Sequence, residues 1–131
     1  MKRLLYVLFV LFFCLSTTAL SQISEWINYT NGDEIYTIAT ETNFLWIGTT
    51  GGLVKIDKYS GNTIFFDELN SGLPTNRSNC IAIDISGNKW IGTDEGLVKF
   101  DGTDWAVYNT LNSGLPSNVV ECIAVDEYET K

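Results

Sequence analysis

The sequence contains no histidine. That excludes a Ser-His-Asp hydrolase, a His-based metal centre and a phosphoacceptor histidine within these residues. Arginine is almost missing as well, with only Arg3 and Arg77 present. Sialidase-type chemistry clamps a carboxylated sugar with several arginines, and this chain does not carry them. Lys and Arg together number 8 against 16 Asp and Glu, a formal net charge of −8. Nucleic-acid phosphates need a basic surface, so nucleic acid is not an expected partner. Past the first twenty residues there is no long apolar run and no convincing helical period. A membrane link would therefore have to come from sequence outside these residues.

The one long apolar run stands at the start. Lys2 and Arg3 precede twelve unbroken apolar residues from Leu4 to Leu15, and Ser16, Thr17, Thr18 and Ala19 follow. Twelve residues are too few to cross a bilayer as a helix, and the layout is that of a secretory signal peptide. Residues 1–21 are read as that leader, with cleavage before Gln22. An uncleaved anchor and a lipoprotein anchored at Cys14 are the alternatives. The second has Phe13 where processing wants a small residue. Removal of the leader takes away Lys2 and Arg3 and no acid, so the formal charge moves from −8 to −10. The expected location is exported: periplasmic, extracellular or at the cell surface.

Two cysteines remain, Cys80 and Cys122, each followed by Ile-Ala. Export permits a disulfide. Equivalent positions on neighbouring repeat units usually lie beyond the ~7 Å reach of a bridge. Buried free thiols are the expectation.

The rest of the chain is built on repetition. Trp46-Ile47-Gly48-Thr49-Thr50-Gly51-Gly52-Leu53-Val54-Lys55-Ile56-Asp57 returns 44 residues later as Trp90-Ile91-Gly92-Thr93-Asp94-Glu95-Gly96-Leu97-Val98-Lys99-Phe100-Asp101. Nine of the twelve positions are identical. Asn70-Ser71-Gly72-Leu73-Pro74-Thr75-Asn76 returns 42 residues later as Asn112-Ser113-Gly114-Leu115-Pro116-Ser117-Asn118. Both copies then lead into Cys-Ile-Ala-x-Asp, ending at Asp84 and Asp126. Repeats of ~40–50 residues with a fixed Trp and Gly pattern mark stacked or ring-forming architectures.

Each unit reads as four short strands bounded by Gly, Asn, Asp or Pro. In the first unit these are Ile35 to Ala39, Phe44 to Thr49, Gly52 to Asp57 and Thr63 to Phe66. In the second they are Cys80 to Ile85, Lys89 to Thr93, Gly96 to Asp101 and Trp105 to Tyr108. Gly48 and Gly92 lie inside strands, where a missing side chain lets a neighbour approach. Gly52 and Gly96 follow the turns Thr50-Gly51 and Asp94-Glu95. Gly51 offers a positive φ that the second turn lacks, which predicts turns of different type. Asp84 to Asn88 is a turn signal, with Gly87 in it, and Thr40-Glu41-Thr42-Asn43 replaces it one residue shorter.

The expected fold is all-β: a β-propeller, here an incomplete N-terminal fragment of about two and a half four-stranded blades. Residues 22–34 supply an orphan closing strand, Trp26 to Tyr29. Residues 35–69 form the first blade and 79–109 the second. Residues 119–131 start a third, with a strand from Cys122 to Asp126. Trp46 and Trp90 pack between blades, together with Phe65, Phe66, Trp105 and Tyr108. The remaining blades of a longer chain are expected as partners.

The residues also resemble a known family. Ile81-x-x-Asp84-x-x-Gly87-Asn88-x-Trp90-Ile91-Gly92-Thr93-x-x-Gly96-Leu97 closely resembles the two-component regulator propeller repeat, and Gly114 to Val119 resembles the loop that leads into it. The first unit departs at Thr40, where the family tends to have Asp. The resemblance implies the extracytoplasmic sensor region of a bacterial hybrid histidine kinase, or a related secreted propeller. Any kinase would lie in further sequence.

The resulting expectation is a non-catalytic sensor domain that binds a glycan or other small ligand. A surface scaffold for protein–protein contact is the alternative. The repeat signature, Trp46, Gly48, Gly52, Asp84, Gly87, Trp90, Gly92 and Gly96, is read as structural, and no ligand-binding residue is assigned. Asp84-x-x-Gly87-x-x-Trp90 resembles the Asp-box turn of sialidases with one residue too many. Asp94-Glu95 reads as a solvated loop pair. Asp84 and Asn88 carry oxygens that suit Ca²⁺, but a side chain–backbone turn explains them more simply. No metal and no cofactor are expected.

Overall fold

The structure is a computed structural model, and it describes residues 33–126. The proposed leader and the Trp26 to Tyr29 strand lie outside the described residues. Two antiparallel sheets of four strands each account for the regular structure. The first contains β1 (Ile35–Thr40), β2 (Phe44–Thr49), β3 (Gly52–Asp57) and β4 (Thr63–Phe66). The second contains β5 (Ser78–Ile83), β6 (Lys89–Thr93), β7 (Gly96–Phe100) and β8 (Trp105–Tyr108). Both are meanders in sequence order, and no helix occurs among the described residues.

Alternation explains the registers. In β2 and β3, Trp46 pairs with Lys55 and Ile47 with Val54. In β6 and β7, Trp90 pairs with Lys99 and Ile91 with Val98. Successive residues point to opposite faces, so each strand carries two distinct surfaces. Ile47, Val54 and Ile56 form a cluster on one face of the first sheet. Trp46 and Leu53 point the other way, toward the second sheet. There they meet Ile91, Val98 and Phe100, the second-sheet counterparts of Ile47, Val54 and Ile56. The shared core thus lies in the seam between the sheets.

The sequence placed β2, β3, β4, β6 and β8 at the observed bounds. β5 begins two residues earlier than expected, because Ser78 already pairs with Thr93 across an irregularity between Ser78 and Cys80. β1 carries the same irregularity between Ile35 and Thr37. The expected strand from Cys122 to Asp126 does not form. Val120 N–H donates to Thr93 O at 2.8 Å, but no ladder follows, since no second strand runs beside these residues among those described.

The two β2–β3 and β6–β7 turns are alike, not different as Gly51 had suggested. Thr49 Oγ1 accepts from Gly51 N–H and donates to Gly52 O. Thr93 Oγ1 does the same with Glu95 and Gly96. The left-handed backbone falls on the shared glycines, Gly52 (φ 134°) and Gly96 (φ 141°). The residues inside the turns therefore need no glycine.

Candidate functional site

The signature tryptophans anchor each unit through one repeated hydrogen bond. Trp90 Nε1 donates to Asp84 Oδ2 at 3.0 Å. Trp46 Nε1 donates to Glu41 Oε2 at 2.8 Å. Glu41 thus does in the first unit what Asp84 does in the second. The first turn is one residue shorter, and the extra methylene of Glu makes up the reach.

Asp84 holds its own loop. Its carboxylate accepts from Ser86 N–H, Asn88 N–H, the Asn88 side-chain amide and Trp90. Burial alone would push this carboxyl up; the bonds from Asn88, Trp90 and Ser86 outweigh it and hold the pKa at about 2. The Asp84 oxygens that suited Ca²⁺ are occupied by this turn. Gly87 carries the turn, its N–H donating to Asp84 O at 2.9 Å.

The seam is aromatic at its centre. Trp46 is 1% exposed. It stacks on Phe66 with centroids 5.9 Å apart and meets Phe100 edge-on at 6.1 Å. Phe100 in turn stacks on Trp105 at 4.1 Å. Phe65, expected here, points to the other face and is 40% exposed, because it neighbours Phe66 on the same strand. Trp90 stacks on Tyr108 at 6.1 Å, as Trp46 does on Phe66, but it is only half-buried. No third sheet lies over it among the described residues.

Two glycines let the chain pass close. A Cβ at Gly48 would lie 2.5 Å from Thr37 Cγ2 and 2.8 Å from Ser78 O. A Cβ at Gly92 would collide with Cys80 Sγ and lie 2.6 Å from Val120 O. Val120 therefore enters beside the second sheet as Ser78 enters beside the first. Cys80 is buried and Cys122 exposed, and neither is bridged. The free state was expected; the exposure of Cys122 was not. Burial pushes the Cys80 thiol up, as does neighbouring Cys122, against a bond to the Gly92 backbone.

A feature with no sequence forecast ties the sheets together. Lys89 Nζ lies 2.6 Å from Glu41 Oε1, with side chains only 9% and 19% exposed. Lys89 also donates to Gly87 O at 2.8 Å and sits 5.0 Å from the Trp46 ring centroid. Burial would raise the Glu41 carboxyl, but bonds from Lys89 and Trp46 and the Lys89 charge lower it overall. The available signal was an acid displaced within a shortened turn, opposite a Lys one residue before the next signature Trp.

Just outside this pair the β1–β2 and β5–β6 turns form the walls of an open cleft of about 620 Å³. Thr40, Thr42 and Asn43 line one side, Ile85 and Gly87 the other, with Val125 beside them. At the opposite end of the seam, the Arg77 guanidinium lies 4.7 Å from the Tyr36 ring centroid. Its Nε donates to Asn79 Oδ1 at 3.0 Å and sits 3.8 Å from Asp94 Oδ2. Asn79 donates to Asp94 at 2.8 Å. Asp94 is thus in a polar network, whereas Glu95 is exposed, as a solvated loop residue should be. Among the described residues, neither end presents a nucleophile hydrogen-bonded to a base.

No family profile and no curated protein sequence matches the chain. Solved structures do. Two crystal structures of the extracellular domain of BT4673 from B. thetaiotaomicron are similar. In one it is described as a putative hybrid two component system, at 28% identity and TM-score 0.50 over 51% of this chain. In the other it is described as a putative one component system, at 25% identity and TM-score 0.54 over 56%. PorZ, a surface component of the type-IX secretion system of Porphyromonas gingivalis, is similar in fold, with TM-score 0.59 and 19% identity over 79% of this chain. The chain spans 9% and 10% of the two BT4673 structures and 17% of PorZ.

Proposed function

We propose that the two sheets are consecutive blades of a β-propeller that works outside the cytoplasm as the ligand-sensing part of a two-component signalling protein. The ligand is a glycan or another small molecule, and the phosphoryl-transfer machinery belongs to other sequence. The observation that carries this reading is the likeness to the extracellular domain of BT4673 at 28% and 25% identity. The repeated seam supports the propeller. Trp90, Tyr108, Leu97 and Leu115 occupy in the second unit the places that Trp46, Phe66, Leu53 and Leu73 occupy in the first. No sheet covers them among the described residues.

The geometry suits a sensor. Ligand contact at one set of turns is transmitted only if the sheets move as connected bodies. The Trp46, Glu41 and Lys89 contacts make that connection between the first two. The test is deletion of the coding sequence in the source bacterium, followed by transcript profiling on a panel of polysaccharides. Loss of induction of one gene set on one polysaccharide is the expected result. Unchanged induction on all of them rejects the reading.

A surface scaffold is the second reading, and one observation favours it. Leu69 and Leu111 occupy equivalent loop positions and are 90% and 93% exposed. Each sits in a loop tightened by an Asx turn, from Asp67 and Asn109. Apolar side chains fixed outward at a regular interval suit protein contact. Recovery of a specific partner that is lost on Leu69→Ser with Leu111→Ser would favour this reading.

A further inference from the structure

The cleft at the β1–β2 and β5–β6 turns is where the two units differ most. They match wherever packing demands it, in the tryptophans, the strand glycines and the Leu73 and Leu115 loops. They diverge in this turn, by one residue in length and in most of its side chains.

The carboxylates that line the cleft are already engaged. Both Glu41 oxygens are engaged, one by Lys89 and one by Trp46. Both Asp84 oxygens are engaged by Ser86, Asn88 and Trp90. Lys58 Nζ donates to Glu41 O, and Lys89 is buried. No Lys or Arg lines the cleft, and the oxygens of the two carboxylates that do, Glu41 and Asp84, are already engaged. An anionic ligand would therefore find no counter-charge in the lining, and its desolvation would go uncompensated.

The neutral groups are in the opposite state. Thr40, Thr42 and Asn43 are exposed, line the cleft, and their side chains are engaged by no other group among the described residues. The hydroxyls and the amide supply donors and acceptors together. Ile85, 69% exposed, and Val125 add apolar surface alongside them. Donors and acceptors interleaved with apolar patches, with no cation in the lining, match an uncharged polyhydroxylated chain. We infer that this cleft is a binding site for a neutral oligosaccharide, held by Thr40, Thr42 and Asn43 against Ile85. The inference rests on the sensor reading and adds to it the place and the charge class of the ligand.

The test titrates the protein calorimetrically with neutral hexasaccharides (cello-, xylo- and mannohexaose) and with an acidic one, hexagalacturonate. A neutral hexamer is expected to bind and the acidic one not. Thr42→Ala with Asn43→Ala should weaken that binding about 10-fold or more, the loss of one or two hydrogen bonds. Arg77→Gln, at the other end of the seam, should leave it unchanged. These substitutions are on exposed side chains, and far-UV dichroism confirms that the variants fold. If a neutral hexamer binds equally well to the double variant, this site is wrong while the sensor reading stands. Binding of hexagalacturonate alone overturns the neutral class. If no saccharide binds, the glycan reading falls together with the site.

Discussion

Lys89 of the second sheet and Glu41 of the first form a 2.6 Å ion pair across the seam, and Glu41 at the same time accepts from the Trp46 indole. The second unit cannot repeat this from Asp84, whose oxygens are committed to its own loop and to Trp90. Removal of one member of a largely buried pair leaves the other uncompensated. Lys89→Met is expected to destabilise by about 2–4 kcal/mol in urea unfolding. Lys89→Met combined with Glu41→Gln should be less destabilising than Lys89→Met alone, because the glutamine amide still accepts from Trp46 and bears no charge. A double variant equal to the sum of the singles would remove the coupling.

Asp84 gives the acid limb. Its folded pKa of about 2 lies below the ordinary carboxylate value near 4. A depressed folded pKa means stability that is fully present above about pH 4 and is lost as pH falls toward about 2. The lowered Glu41 carboxyl acts in the same direction. Asp84→Asn is expected to cost about 1–2 kcal/mol at neutral pH and to flatten the decline in stability below pH 4. Urea midpoints across that range check both. An unchanged acid limb would assign it to other carboxylates.

The two signature tryptophans should differ in weight. Trp46→Ala is expected to cost about 3–5 kcal/mol, as for a fully packed ring. Trp90→Ala should cost clearly less, because one face of Trp90 has no sheet over it among the described residues. Equal losses in denaturant unfolding would contradict the one-sided seam.

The strand glycines test close approach. Gly48→Ala places a Cβ 2.5 Å from Thr37 Cγ2 and 2.8 Å from Ser78 O, and should cost about 1–3 kcal/mol. Gly114→Ala meets nothing within 4 Å and should be near neutral. Ser78 Oγ is buried without a partner among the described residues, and its counterpart in the next unit is Val120. Ser78→Ala is therefore expected to be neutral or stabilising. Thermal unfolding separates the three.

Much of this arrangement was legible because the repeat supplies two readings of each strand. Lys89 to Thr93 and Phe44 to Thr49 could be placed by alternation and by their bounding turns. The seam partners of Trp46 were less visible. Counted back from the tryptophans, Glu41 lies at a different offset than Asp84; only counting forward from Ile38-Ala39 and Ile81-Ala82 puts the two acids at one position. Lys89 aligns with Leu45, and nothing local says that its ammonium crosses to the other sheet. The turns before Gly52 and Gly96 are alike because the shared Thr49 and Thr93 hydroxyls set them, whatever residue stands at the Gly51 position. Long-range contacts of this sort depend on how sheets stack, and alternation reports only which face a residue takes.

The cysteines give a direct probe. In a Cys14→Ser background, exposed Cys122 should react quickly with a thiol reagent. Cys80, buried and with its thiol pushed up by that burial, should react only on unfolding. Two thiols of equal rate would contradict this placement.

The same thiol tests the central claim, that these sheets work outside the cytoplasm. In the Cys14→Ser background, a membrane-impermeant maleimide is added to cells of the source organism with an intact cytoplasmic membrane, and labelling at Cys122 is read by mass spectrometry. The account predicts labelling before lysis, lost in Cys122→Ser. Labelling that appears only after the cytoplasmic membrane is broken would place the chain inside and contradict the sensor reading.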